Sequence, residues 1–85
     1  MEPEQTELIA YLKTAMDELK KLQLLASRRN KTKKFKAINS IALLAWNRVN
    51  ATYNYAKAGG YADLSVVIQQ QMYDPIIQWL ESEIA

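Results

Sequence analysis

Apolar residues recur at steps of three and four along most of the chain, the spacing that lines one face of an α-helix. The first series is Leu8, Leu12, Ala15/Met16, Leu19, Leu22, Leu25/Ala26. Pro3 fits a first turn, and Glu2, Glu4 and Glu7 suit the positive end of the helix dipole, so helix 1 is expected from about Pro3 to about Arg29. No Gly or Pro falls between Pro3 and Gly59, yet one helix of that span would reach about 80 Å and leave its apolar stripe uncovered. The polar interval Ser27 to Thr32 supplies the break, with Asn30 and Thr32 as candidate N-caps. The pattern then restarts with Phe35, Ile38, Ala42, Ala45, Val49, Tyr53 and Ala56, widened by Ile41, Leu43, Leu44 and Trp46. This broader apolar surface places helix 2 centrally, packed on two sides, and Gly59-Gly60 ends it.

Beyond the glycines, Leu64, Ile68, Met72, Ile76 and Leu80 form an i+4 ladder reinforced by Val67 and Trp79, which predicts a third helix with those residues buried. Asp74-Pro75 interrupts it, because Pro removes a donor and disfavours helix at the preceding residue. Helix 3 is therefore expected to kink there or to split, with Asp74 capping a short fourth helix. Three helices of similar span on short connections give an all-α fold, an antiparallel up-down-up three-helix bundle forming a single helical domain over residues 1–85.

Composition agrees and narrows the chemistry. The 85 residues are 49% hydrophobic with two Gly and two Pro, enough for one small core and no more. There is no Cys and no His, which removes disulfides, thiolate chemistry and the usual zinc ligands. No Ser or Thr can be paired with a His, and no acid pair interrupts an apolar face, so neither nucleophilic nor acid-base catalysis has visible machinery. A non-enzymatic protein with no metal and no cofactor is expected. Met1-Glu2-Pro3-Glu4 is acidic where a secretory signal starts basic, and the longest apolar run, Ile41 to Trp46, is far short of the roughly 20 residues of a spanning helix. A soluble cytoplasmic chain without integral membrane association is the expectation. Asn50-Ala51-Thr52 matches a glycosylation sequon but falls within helix 2 and reads as helix residues.

Charge changes the picture most. The formal net charge is only +2, but residues 1–19 carry −4, residues 20–62 carry +10 without one carboxylate, and residues 63–85 carry −4. Arg28, Arg29, Lys31, Lys33, Lys34 and Lys36 concentrate six cations at the turn between helices 1 and 2. Lys33, Lys34 and Lys36 oppose the dipole of helix 2, and a broken local rule of this kind points to function. The cluster predicts contact with a DNA or RNA backbone, salt-dependent and largely indifferent to sequence, with Arg48 and Lys57 extending the surface. Against this, an up-down-up bundle brings Glu81 and Glu83, at the end of helix 3, to the same tip. If they pair with Lys33 and Lys34, the cluster is partly structural.

Around the glycine turn, Tyr53 and Tyr55 cannot both face the core at a spacing of two. With Tyr61 they are the candidates for protein contact. The alternative function is thus a protein–protein adaptor or inhibitor, docking through the tyrosine end or an apolar helix face. Self-association through helix 1 or helix 3 would also help so small a core.

Three local resemblances add little. Tyr55 to Ile68 resembles a helix-turn-helix at Ala56, Gly60 and Val66, but its second helix would offer Asp63, Ser65 and Gln69 to DNA and no cation. With Ala45-Trp46, Tyr53 or Tyr55, Gly59-Gly60-Tyr61 and Asp74-Pro75 the same stretch is similar to a tetratricopeptide unit, which implies a helical hairpin. Asp17 to Arg29 looks like the first helix of the all-helical chorismate mutases, whose arginines and lysine bind substrate carboxylates. Here Lys13 stands where an Arg is wanted and the spacing is off by about one residue, which rotates a helix by about 100°.

Overall fold

The structure is a computed structural model that describes residues 2–29 and 31–85. It contains three α-helices, α1 (Pro3–Ser27), α2 (Lys33–Lys57) and α3 (Val66–Ile84), and a short 3-10 helix at Gly60–Asp63 between α2 and α3. No strand occurs among the described residues. Their course is up-down-up. Gln23 Nε2 on α1 donates to Asn39 Oδ1 on α2 at 2.8 Å, and the Lys20 ammonium lies 5.5 Å from the centre of the Trp46 ring. Residue numbers rising on α1 thus meet numbers falling on α2. Tyr11 reaches Asp74 near the middle of α3, and Arg29 reaches Ile84 at its end, so α1 and α3 run in the same direction.

The element boundaries have local causes. Thr32 caps α2, accepting a hydrogen bond from the Phe35 amide at 3.2 Å; the other candidate cap, Asn30, lies outside the described residues. Helix α1 stops at Ser27 with Arg28 as its C-cap, two residues earlier than the pattern suggested. Gly59 ends α2 with a φ of 110°, a left-handed conformation that only glycine adopts without strain. At Gly60 the Tyr55 ring occupies the space a Cβ would need, so a larger residue there would displace this exposed ring. Ser65, not recognised from the sequence, caps α3. Helix α3 then runs through Asp74-Pro75 as one element, which sets aside the split into a fourth helix.

The core is built from Leu8, Leu12, Ala15, Met16, Leu19, Leu22 and Ala26 of α1, Ile38, Ala42, Ala45, Val49 and Ala56 of α2, and Tyr73, Leu80 and Ile84 of α3. The apolar series read for helices 1 and 2 are thus the buried ones, with Leu25, Phe35 and Tyr53 half-buried at the margin.

Two sequence expectations are corrected. The central helix is α1, which packs against both α2 and α3, while those two touch each other little. Side-chain size goes with the difference: Ala42 and Ala56 are fully buried on α2, whereas the longer chains Ile41, Leu44, Met72 and Ile76 line an open groove between α2 and α3. The second correction concerns the ladder of helix 3. Leu80 is fully buried, but Ile68 is 54% and Met72 40% exposed, as are Val67 (54%) and Trp79 (43%). A strict i+4 series drifts by about 40° per step on a helix of 3.6 residues per turn, so five rungs cannot all face one neighbour. The face that is buried, Gln69, Tyr73, Leu80 and Ile84 with Ile76 and Ile77 at its edges, mixes steps of three and four and stays in phase.

Candidate docking groove and basic tip

Two surfaces stand out, and they differ in chemistry. The first is an apolar groove between α2 and α3 with a cavity volume of about 190 Å³, lined by Ile41, Leu44, Ala45, Arg48, Met72, Tyr73 and Ile76. Leu44 is 64% exposed. On α3, Ile68 and Trp79 are also exposed, one turn on either side of the lining residues Met72 and Ile76. Lys34 Nζ on α2 contacts Glu83 Oε2 on α3 at 3.0 Å, about two turns beyond the lining residues Ile41 and Ile76. Near the other end lies Arg48, the one charged residue in the lining. Among the described residues no carboxylate lies within ion-pair distance of it.

The groove residues went unrecognised in the sequence because apolar helix positions were read as core. One signal could have found them: Ile41 and Leu44 widen α2 beyond the arc that one neighbour can cover. Gln69 pointed the other way, since Gln69-Gln70-Gln71 reads as the solvent side of helix 3, yet Gln69 is buried.

The second surface is the tip where α1 hands over to α2. Here the predicted encounter with the end of α3 occurs. Besides the Lys34–Glu83 pair, Arg29 Nη1 donates to the Ile84 carbonyl at 2.7 Å, placing a cation at the negative end of α3. The Arg29 and Lys34 charges also lie 5.6 and 5.7 Å from the Phe35 ring centre, a cation–π distance. Arg29 and Lys34 are therefore tied into the fold. Arg28, Lys31, Lys33 and Lys36 stay exposed, and among the described residues none has an ion-pair partner. Glu81 is exposed and likewise reaches none of these cations. Arg48 and Lys57 do not extend this tip: Arg48 belongs to the groove, and Lys57 lies over the Tyr53 ring at 5.2 Å, at the far end of α2.

The tyrosine end is built mainly for the turn itself. Tyr55 is 49% exposed, the exposed ring that the spacing of Tyr53 and Tyr55 required. Its hydroxyl donates to Asp63 Oδ2 at 2.6 Å, and that hydrogen bond raises the phenol pKa above its ordinary value. Tyr53 and Tyr61 are half-buried against the core. A further tyrosine, Tyr11, links α1 to α3 by donating to Asp74 Oδ1 at 2.6 Å. Burial, and then this contact with a carboxylate, push its phenol well up.

Among the described residues no group of acidic side chains is placed to hold a metal ion, and no helix is long and apolar enough to cross a membrane. No family model, curated protein or solved structure matches the chain.

Proposed function

We propose that the chain is a non-enzymatic protein-interaction module that docks an apolar helix face into the groove between α2 and α3. The observation that carries it is the exposure of Ile41, Leu44 and Met72 around one apolar groove, with Ile68 and Trp79 also exposed on α3. Scattered apolar residues on a surface are ordinary, but a contiguous patch of this kind marks an interaction site. An apolar groove flanked by two helices suits a third helix laid along it, its anchors spaced i, i+3/i+4, i+7. The single charge in the lining gives no acid-base pair for chemistry.

The test is an NMR titration of the labelled protein with a synthetic amphipathic helix bearing leucines at that spacing. Shifts should concentrate at Ile41, Leu44, Met72 and Ile76, and Leu44→Glu should abolish them while leaving the circular dichroism spectrum intact. No shifts, or shifts confined to the Arg28 to Lys36 tip, would reject the groove as a docking surface.

A second reading, contact with a nucleic-acid backbone, is favoured by the four exposed cations Arg28, Lys31, Lys33 and Lys36. It is narrower than the six-residue cluster suggests, because Arg29 and Lys34 serve the end of α3. Four neutralised phosphates correspond to a slope of log K against log salt of about −3 to −4. Filter binding with duplex DNA and with RNA measures that slope. Absence of retention at low salt rejects the reading, as does binding that the double variant Lys33→Gln/Lys36→Gln leaves unchanged.

A further inference from the structure

Given that the groove is a docking surface, we infer that its occupant is a second copy of this chain, laid groove to groove about a two-fold axis at the level of Ile41 and Ile76. Area is the first reason. Ile41, Leu44, Ile68, Met72 and Trp79 are each 40–64% exposed. At about 100 Å² apiece they form a patch of roughly 500 Å², near the upper limit for a monomer surface. A stable interface buries about 800 Å² per partner, about 65% of it apolar in homodimers. The patch supplies about that share.

Register is the second reason. The Lys34–Glu83 contact sets residue 34 of α2 beside residue 83 of α3. The two helices run antiparallel, so Ile41 falls beside Ile76, Leu44 beside Tyr73 and Ala45 beside Met72, the residues that line the cavity. Arg48 lies seven residues along α2 from Ile41 in one direction, about 10 Å. Lys34 and Glu83 lie seven residues away in the other. A two-fold axis through the Ile41/Ile76 level therefore carries Arg48 of one copy to the level of the Lys34–Glu83 pair of the second copy, where it would share the carboxylate that Lys34 already contacts. Glu83 Oε1 has no partner among the described residues, Lys34 being on Oε2. Any apolar partner that covered Arg48 without offering an anion would strand a buried charge. A second copy offers one at the matching height, twice per dimer, as an isologous interface requires.

Sedimentation equilibrium from micromolar to millimolar chain concentration tests this on the intact protein. A monomer–dimer equilibrium is expected, lost in Leu44→Glu and in Met72→Glu. Arg48→Glu alone and Glu83→Arg alone should each weaken it roughly tenfold or more, by placing like charges opposite one another. An equimolar mixture of Arg48→Glu chains with Glu83→Arg chains should restore dimerisation, because the heterodimer has opposite charges at both contacts. A wild-type monomer throughout, a dimer that survives Leu44→Glu, or a mixture no tighter than its components overturns the inference. In the first of these cases the peptide titration still decides separately whether the groove docks helices.

Discussion

The seam between α1 and α2 and the groove between α2 and α3 use one face each of the same helix, yet one is closed and the other open. Toward α1, α2 presents Ala42, Val49 and Ala56, all fully buried, with Ala45 at the border between this face and the groove. Small side chains let the backbones approach, so the leucines of α1 fill the space between them. Toward α3 it presents Ile41, Leu44 and Arg48. These longer side chains share the lining of an open groove with Met72 and Ile76. Apolar character is comparable on the two flanks; what separates them is side-chain size, which decides whether an apolar face becomes interior or stays available to a partner.

The contrast is most easily broken by truncating a leucine on each side. Leu19 of α1 is fully buried in the core, and Leu19→Ala should cost about 2–5 kcal/mol. That is a large fraction of the roughly 4–13 kcal/mol available to a chain of this length. Leu44→Ala in the monomer should change stability by no more than about 0.5 kcal/mol. Urea unfolding of both variants at a concentration below any self-association measures the difference. Equal losses would mean that the groove is as much a part of the core as the seam.

The link between α1 and α3 comes next. Tyr11→Phe removes the donor to Asp74 and leaves a half-buried carboxylate less well solvated, at a cost of about 1–2 kcal/mol. The variant also has a pH signature. The folded phenol has a raised pKa, so above about pH 10 the native state holds a proton that the unfolded chain has released. Stability from this group is complete below that pH and declines as pH rises further. The wild type should therefore lose stability more steeply than Tyr11→Phe on the alkaline side, by urea midpoints taken on either side of pH 10. Parallel curves would show that α3 is held to α1 by apolar packing alone.

How much of this could be read from the sequence follows the same division. The buried series of helices 1 and 2 was legible residue by residue, because each stays in phase and meets a close neighbour. The meeting of the basic turn with the end of α3 was legible too, since chain direction alone brings Lys34 and Glu83 together. Neither the centre of the bundle nor the orientation of α3 was. Both depend on how near two helices come, and the spacing of apolar positions does not report distance. Ile68 and Met72 satisfy the pattern of a buried face as well as Leu80 does, and only the drift of the strict i+4 series separates them. For the same reason the candidate groove was hidden inside the predicted core, while the basic tip was plain from charge counting.

Cap and end contacts give the smallest effects and sharpen the comparison at its margins. Thr32 starts the helix that both the seam and the groove share, and Thr32→Ala should cost about 1 kcal/mol. Ser65→Ala, at the start of α3, should cost less, since the Ser65 hydroxyl lies 3.4 Å from the amide it accepts. Smaller still is Lys34→Gln. The Lys34 side chain is 59% exposed and Glu83 33%, so the pair is solvent-screened and its loss should be worth at most about 0.5 kcal/mol, less at high salt. Its partner Glu83 is the group proposed to meet Arg48 of a second copy, however, so removing Lys34 should alter association more than how firmly the chain folds. Thermal unfolding of Lys34→Gln at low and high salt, set beside its sedimentation behaviour, separates the two. A large stability loss with unchanged association would make the tip a structural clasp and leave the groove independent of it.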